Sequence, residues 1–338
     1  MDDILAELAQ FPSAESMEEF LMQTVIEALK SGDTALLDQL SAFIIGDESA
    51  NTRFSAYLRV RVLHCLIEYT IGRLQHIEDE EEADAVLQQL YHHLWRLKWV
   101  IYALPLDVEL TQEAISYFNA LMQDYYDRVN LSQSPVHKTL MIQNMLMGNI
   151  EQTRHHFQQW QTIDCDDFAD CEACEVSELV NYHHFIGQYE AAIATAEPIL
   201  DGRLSCGEVP HITYYPAISS LIEVGQWQRA SELTQQAIAL IADDIDNFLF
   251  VLPLIMQVAV RLGQYEQVQR LSDQYGEQIL VRGEIDQLIR LQYYFAVMRF
   301  NPRFQEQARV LAEAFDERNG NHHYLLQWQR FIDEGRVH

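Results

Sequence analysis

Four short stretches decide the fold: Gly148-Asn149-Ile150-Glu151, Gly187-Gln188-Tyr189-Glu190, Gly225-Gln226-Trp227-Gln228 and Gly263-Gln264-Tyr265-Glu266. Their glycines stand 39, 38 and 38 residues apart. A constant period of this length marks stacked helical hairpins, because one hairpin cannot bury its apolar face alone. Each glycine closes a first helix, where a left-handed backbone is needed, and the residue two places on packs into the hairpin. Counting back 11, 8, 7 and 4 residues from each glycine gives the inward stripe of that first helix. The sets are His137, Leu140, Met141, Asn144; Val176, Leu179, Val180, His183; Tyr214, Ala217, Ile218, Leu221; and Leu252, Ile255, Met256, Ala259. All but His137, Asn144 and His183 are apolar or Tyr, as a buried helix face requires. Met141 and Met256 therefore read as core.

Outside these repeats the periodicity is also helical, and alternation bounded by hairpin turns is absent. Ser16 to Glu19 reads as a capping box leading into Phe20, Leu21, Val25, Ile26 and Leu29, with Gly32 as the stop. The acidic run Glu78 to Glu82 reads as a solvated loop or helix start, where acids suit the helix dipole. Helices follow over residues 87–104, ended by Pro105, and 110–129, and Ser132 to Pro135 is the best boundary. The expected organisation is an N-terminal helical region over 1–130, repeats over 135–300, and a C-terminal hairpin with a capping helix (322–333) over 301–338.

The repeats resemble the tetratricopeptide repeat, in which a Gly-x-Tyr turn is followed by a small residue three places after the aromatic. Ala192 follows Tyr189 and Ala230 follows Trp227 in that way. Thr153 after Ile150 and Val268 after Tyr265 depart from the pattern, and so does a period about one helical turn longer than the family's 34. A second small position is kept as Ala237 and replaced by Trp160, Ile199 and Tyr275. The resemblance implies an all-α, right-handed superhelical solenoid. It also implies a concave face, lined by first helices, that binds peptide segments. Counting in the same register puts Asn181, His184, Tyr215, Ser219, Ile222, Phe250, Gln257 and Val260 on that face. Amides there suit a peptide backbone and rings suit its side chains.

The chain has 338 residues, with 22 Lys plus Arg against 51 Asp plus Glu, a formal charge of −29. That balance argues against duplex nucleic acid and against an anionic membrane surface. It suits a basic protein or peptide partner. There is no uninterrupted apolar run long enough for a membrane span and no basic leader at the N-terminus, so the expected location is cytoplasmic. Five cysteines in a long chain make a complete disulfide framework unexpected.

Cys165, Cys171, Cys174 and Cys206 form the sharpest chemical feature. Cys171-Glu172-Ala173-Cys174 opens a first helix, and Cys206 lies in the loop leading to the next. If neighbouring first helices stack, Cys171, Cys174 and Cys206 converge. Three thiolates with Cys165, His211 or Asp170 as fourth ligand would make a structural zinc site. Plain reduced thiols and a redox pair remain alternatives. Gly-x-x-x-x-Gly-Lys-Ser/Thr, Gly-x-Gly-x-x-Gly, Gly-x-Ser-x-Gly and His-Glu-x-x-His are all missing, so the expected function is not catalytic. The leading expectation is an adaptor, scaffold or assembly factor; a ligand- or peptide-responsive regulator comes second, and a zinc- or thiol-dependent enzyme third.

Overall fold

The computed structural model describes residues 2–8, 10–46 and 53–334. Among the described residues it holds eighteen α-helices and no strand. They divide into two compact units, Met1–Leu131 and Ser132–His338.

The first unit contains α1 (Asp2–Leu8), α2 (Ala14–Ser31), α3 (Thr34–Ile45), α4 (Ala56–Leu74), α5 (Glu80–Ala103) and α6 (Gln112–Arg128). α4 packs against α2, α3 and α5, and α5 packs against α6. Their shared core includes Leu21, Leu40, Leu63, Ile67, Leu94 and Tyr126. The acidic run takes the role of a helix start: Asp79 caps α5, and Glu80, Glu81 and Glu82 fill its first turn. The start of α2 differs from the sequence expectation. Ser13, not Ser16, is the cap, its side chain accepting from the Ser16 backbone N–H. The hydroxyl three residues earlier caps a first turn that includes Ser16 itself, so the helix begins sooner.

The second unit contains α7 (Ser134–Leu146), α8 (Ile150–Thr162), α9 (Glu172–Phe185), α10 (Tyr189–Leu200), α11 (Tyr214–Glu223), α12 (Trp227–Asp243) and α13 (Ile245–Phe248). It continues through α14 (Leu252–Arg261), α15 (Tyr265–Arg282), α16 (Gln287–Val297), α17 (Pro302–Asn319) and α18 (His323–Glu334). Four antiparallel pairs share one turn. Gly148, Gly187, Gly225 and Gly263 have φ of 71°, 80°, 79° and 74°. After each, the next N–H reaches back to the carbonyl five residues earlier: Asn149 to Asn144, Gln188 to His183, Gln226 to Leu221 and Gln264 to Ala259, at 2.8–2.9 Å. That is the Schellman closure, which a residue with a Cβ adopts only with strain.

The packing repeats as well. Thr153, Ala192, Ala230 and Val268, equivalent by register, are each 0% exposed. Helix crossings this close leave no room for a larger side chain. Tyr182 joins Met141 and Trp160 in one cluster, tying α7, α8 and α9, and Val180, Ala192, Ala196 and Ala217 tie α9, α10 and α11. Met141 and Met256 are fully buried core residues. The first helices also touch in series: α7 with α9, α9 with α11, α11 with α14, and α14 with α16.

The C-terminal helix does more than hide the end of the core. α18 packs on α17 and returns to the first pair of the unit. Asn321 Nδ2 donates to the Met147 carbonyl at 2.7 Å, and Tyr324 Oη donates to the Leu146 carbonyl. These are among the last carbonyls of α7, which lack partners within their own helix.

Candidate metal centre and partner face

Cys171 is the N-terminal flanking residue of α9, Cys174 lies in its first turn, and Cys206 lies in the connection from α10 to α11. That connection is fixed locally. The Leu204 N–H bonds to Pro198 O at 2.8 Å, and the Cys206 N–H bonds to Val209 O at 3.1 Å. Below it Ala173, Ile199 and Val209 form a buried cluster that Cys174 and Cys206 pack against.

The three sulfurs lie within 4.8 Å of one another, and the Cys174–Cys206 pair is 3.4 Å apart. A disulfide would need about 2.05 Å, and all five cysteines are free thiols. A tetrahedral ion with metal–sulfur bonds of about 2.3 Å sets its sulfurs about 3.8 Å apart. The three cysteines thus lie close enough to hold a metal ion. Cys171 is exposed while Cys174 and Cys206 are half-buried. Burial pushes the Cys174 thiol up, and its hydrogen bonds to Cys206 and Cys171 push it further. Burial also works to raise Cys171, but the Cys174 N–H and the two neighbouring thiols outweigh it and hold Cys171 below the usual thiol range.

The expected fourth ligands lie outside the three-sulfur group. Asp170 pairs with Lys138, which also pairs with Glu175; the Lys138 and Asp170 side chains are 3% and 4% exposed. Burial works against the Lys138 charge, and the two carboxylates more than restore it. The His211 ring stacks on Phe248, centroids 3.6 Å apart. Cys165 lies beside Ser134 and Asp166, outside the three-sulfur group. Sequence reasoning missed the Lys138 triad. Its only signal was rarity, since the chain has three lysines.

The residues expected on the partner face lie on the first helices α9, α11 and α14, except Phe250 in the turn before α14, and most are engaged. Asn181 is half-buried and donates to Glu178 at 3.2 Å. The His184 Nδ1 lies 3.1 Å from Ser220 Oγ. Because that hydroxyl donates to Pro216 O at 2.7 Å, the ring must donate, which assigns the neutral Nδ1–H tautomer. Tyr215 meets His184 edge-on at 5.8 Å. Ser219 is buried and accepts from Arg261 at 3.4 Å. Gln257 is buried and donates to the Gln292 carbonyl at 2.9 Å. Ile222 and Val260 are buried too, whereas Phe250 is 41% exposed beside Phe248.

α18 covers one margin of this face. Arg261 and Arg330 both bind Glu223, at 2.8 and 2.5 Å. Phe331 stacks on Phe295 at 5.7 Å, and His323 lies against Phe185 at 5.9 Å. Leu146, Phe185, Glu223 and Arg261 are the last residues of α7, α9, α11 and α14. The Tyr324 and Asn321 donors and the Arg330 charge suit helix C-termini, where carbonyls are free and the dipole is negative.

Compared with known proteins, the chain matches no family model, no curated protein and no solved structure. No described helix is long and apolar enough to cross a membrane.

Proposed function

We propose that the chain is a non-catalytic protein–protein interaction module, an adaptor, scaffold or assembly factor built on a tetratricopeptide-like solenoid. The observation that carries this reading is the serial packing of the first helices α7, α9, α11, α14 and α16. Such a series collects Asn181, His184, Tyr215 and Phe250 along one face, the arrangement an extended peptide or a helix needs. The formal charge of −29 favours a basic partner and speeds encounter with it. In the same reading the three thiols take a structural zinc that ties the α10–α11 connection to α9.

The test is an affinity capture from native lysate at low and moderate salt, read by mass spectrometry. Wild type runs beside an Asn181→Ala/Phe250→Ala variant; these two are not core residues, so the fold is retained. One stoichiometric basic partner, lost with the variant and weakened by salt, is the expected result. Equal capture by both chains, or none at either salt, overturns it. The seat of α18 on the same face favours one second reading, a regulator that changes shape when a peptide or ligand enters. A ligand that raises the melting temperature and at the same time exposes α18 to exchange would favour that regulator.

A further inference from the structure

We propose that Cys171, Cys174 and Cys206 form an open three-thiolate site. It takes a tetrahedral, thiophilic divalent ion of the zinc class and leaves the fourth coordination position to an exchangeable ligand from outside the chain. The inference deepens the zinc reading above and rests on the cluster binding metal at all.

Three observations lead to it. The sulfurs are spaced for a common ion, with Cys174–Cys206 at 3.4 Å and all three within 4.8 Å. The donors are all sulfur, which selects zinc or a softer ion over magnesium and calcium. Among the described residues no fourth His, Cys, Asp or Glu donor joins the three sulfurs within 4.8 Å. Asp170 is spent on the buried Lys138, and moving it would leave that charge to Glu175 alone. The His211 ring is stacked face to face with Phe248, the planes 2° apart, and its buried Nδ1, which has no hydrogen-bond partner among the described residues, lies outside the three-sulfur group. Cys165 stays beside Ser134 and Asp166.

The geometry also says where the opening lies. Cys174 and Cys206 have their backs to the apolar cluster of Ala173, Ile199 and Val209, while Cys171 is exposed. The fourth position therefore faces the Cys171 side and solvent. A closed four-ligand zinc site is inert and structural, whereas three protein ligands leave a place for water or another donor. The ligand class is a monodentate soft or borderline donor: an imidazole or a thiol, carried by a small molecule or by a partner's side chain. Water fills the place otherwise. Binding releases the protons of the thiols as the metal–sulfur bonds form, and no oxidant or reductant is required.

The experiment is cobalt(II) titration of the reduced full-length chain, followed by absorption spectroscopy. Cobalt reports ligand type through sulfur-to-metal charge transfer and coordination number through its visible bands. The expected result is a saturating charge-transfer band at one cobalt per chain. Its visible bands shift when imidazole is added, while the charge-transfer band stays. Cys165→Ser and His211→Phe, the latter keeping the stack on Phe248, leave the spectrum unchanged; Cys206→Ser reduces the charge-transfer band. A spectrum that ignores imidazole, or that changes with Cys165→Ser or His211→Phe, overturns the open site while leaving the metal reading intact. Absence of any charge-transfer band in the wild-type chain overturns both. The wild-type titration decides the matter even if Cys206→Ser does not fold.

Discussion

At the scale of single residues, burial of titratable groups sets the response to pH. His93, His156, His184 and His323 have pKa values lowered by burial to about 4. In the unfolded chain they take up protons near 6.5. The folded form refuses those protons until pH 4, so stability falls as pH drops from 6.5 toward 4. For His93, 5% exposed, the full loss is at most about 3 kcal/mol. Glu178 opposes this: burial pushes it up to about 7, against the pull of Lys138 and Asn181. Its folded form keeps a proton that the unfolded form has released, so its contribution is lost as pH rises from 4.5 to 7. The four histidines outweigh Glu178, and the melting temperature should fall from pH 7 to pH 5. His184 is faced by Glu223, Arg261 and Arg330, and His184→Gln is expected to flatten part of the slope. An unchanged slope would mean that the ring takes up its proton as readily in the folded form as in the unfolded one. The cysteines make a second residue-level prediction. Protein purified without an affinity-tag metal should carry close to one zinc per chain, and Cys206→Ser should lose it together with several degrees of melting temperature. Wild-type protein with no zinc above background and five freely titrating thiols would contradict it.

At the scale of elements, the glycine turns between helices were readable because their signal is local. The requirement at Gly148, Gly187, Gly225 and Gly263 is a backbone angle that one residue type meets freely, so it surfaces in the sequence at every turn. The small positions Thr153, Ala192, Ala230 and Val268 were readable for the same reason, even where the residue departs from Ala. The N-terminal cap of α2 was misplaced because Ser13 and Ser16 are both competent caps and only the fold chooses. The path of α18 was not readable at all. Its bonds from Asn321 and Tyr324 to Met147 and Leu146 span more than 170 residues, and a carbonyl acceptor leaves no trace in residue type. The pairing of Asp170 with Lys138 was not readable on like grounds, since nothing near Asp170 in sequence announces Lys138. A paired substitution tests the α18 contact. A Cβ on Gly187 meets nothing, whereas one on Gly148 comes within 2.3 Å of the His323 Cβ. Gly187→Ala should cost about 1 kcal/mol from backbone strain alone. Gly148→Ala should cost about 2–3 kcal/mol, the added part coming from overpacking, as read by urea denaturation. Equal costs would mean that α18 does not rest on that turn.

At the scale of the whole molecule, charge and repetition act together. An excess of 29 negative charges makes like charges repel and would steer the proposed basic partner, and salt screens both effects within about 10 Å at 0.1 M. Self-repulsion also works against the compact state, so added salt should raise the melting temperature while it weakens partner binding. The helical class and the boundary near Ser132 followed from periodicity and turn residues. What the first unit, Met1–Leu131, contributes was not readable, because its helices carry no repeat and no chemical motif. The central claim is that the first helices of the second unit form the partner face. Hydrogen exchange of the chain with and without its captured partner tests this most directly. Protection concentrated on α9, α11 and α14, with α10, α12 and α15 unchanged, is the predicted footprint. Protection confined to the second helices α10, α12 and α15 would contradict it and put the partner on the opposite side of the hairpins.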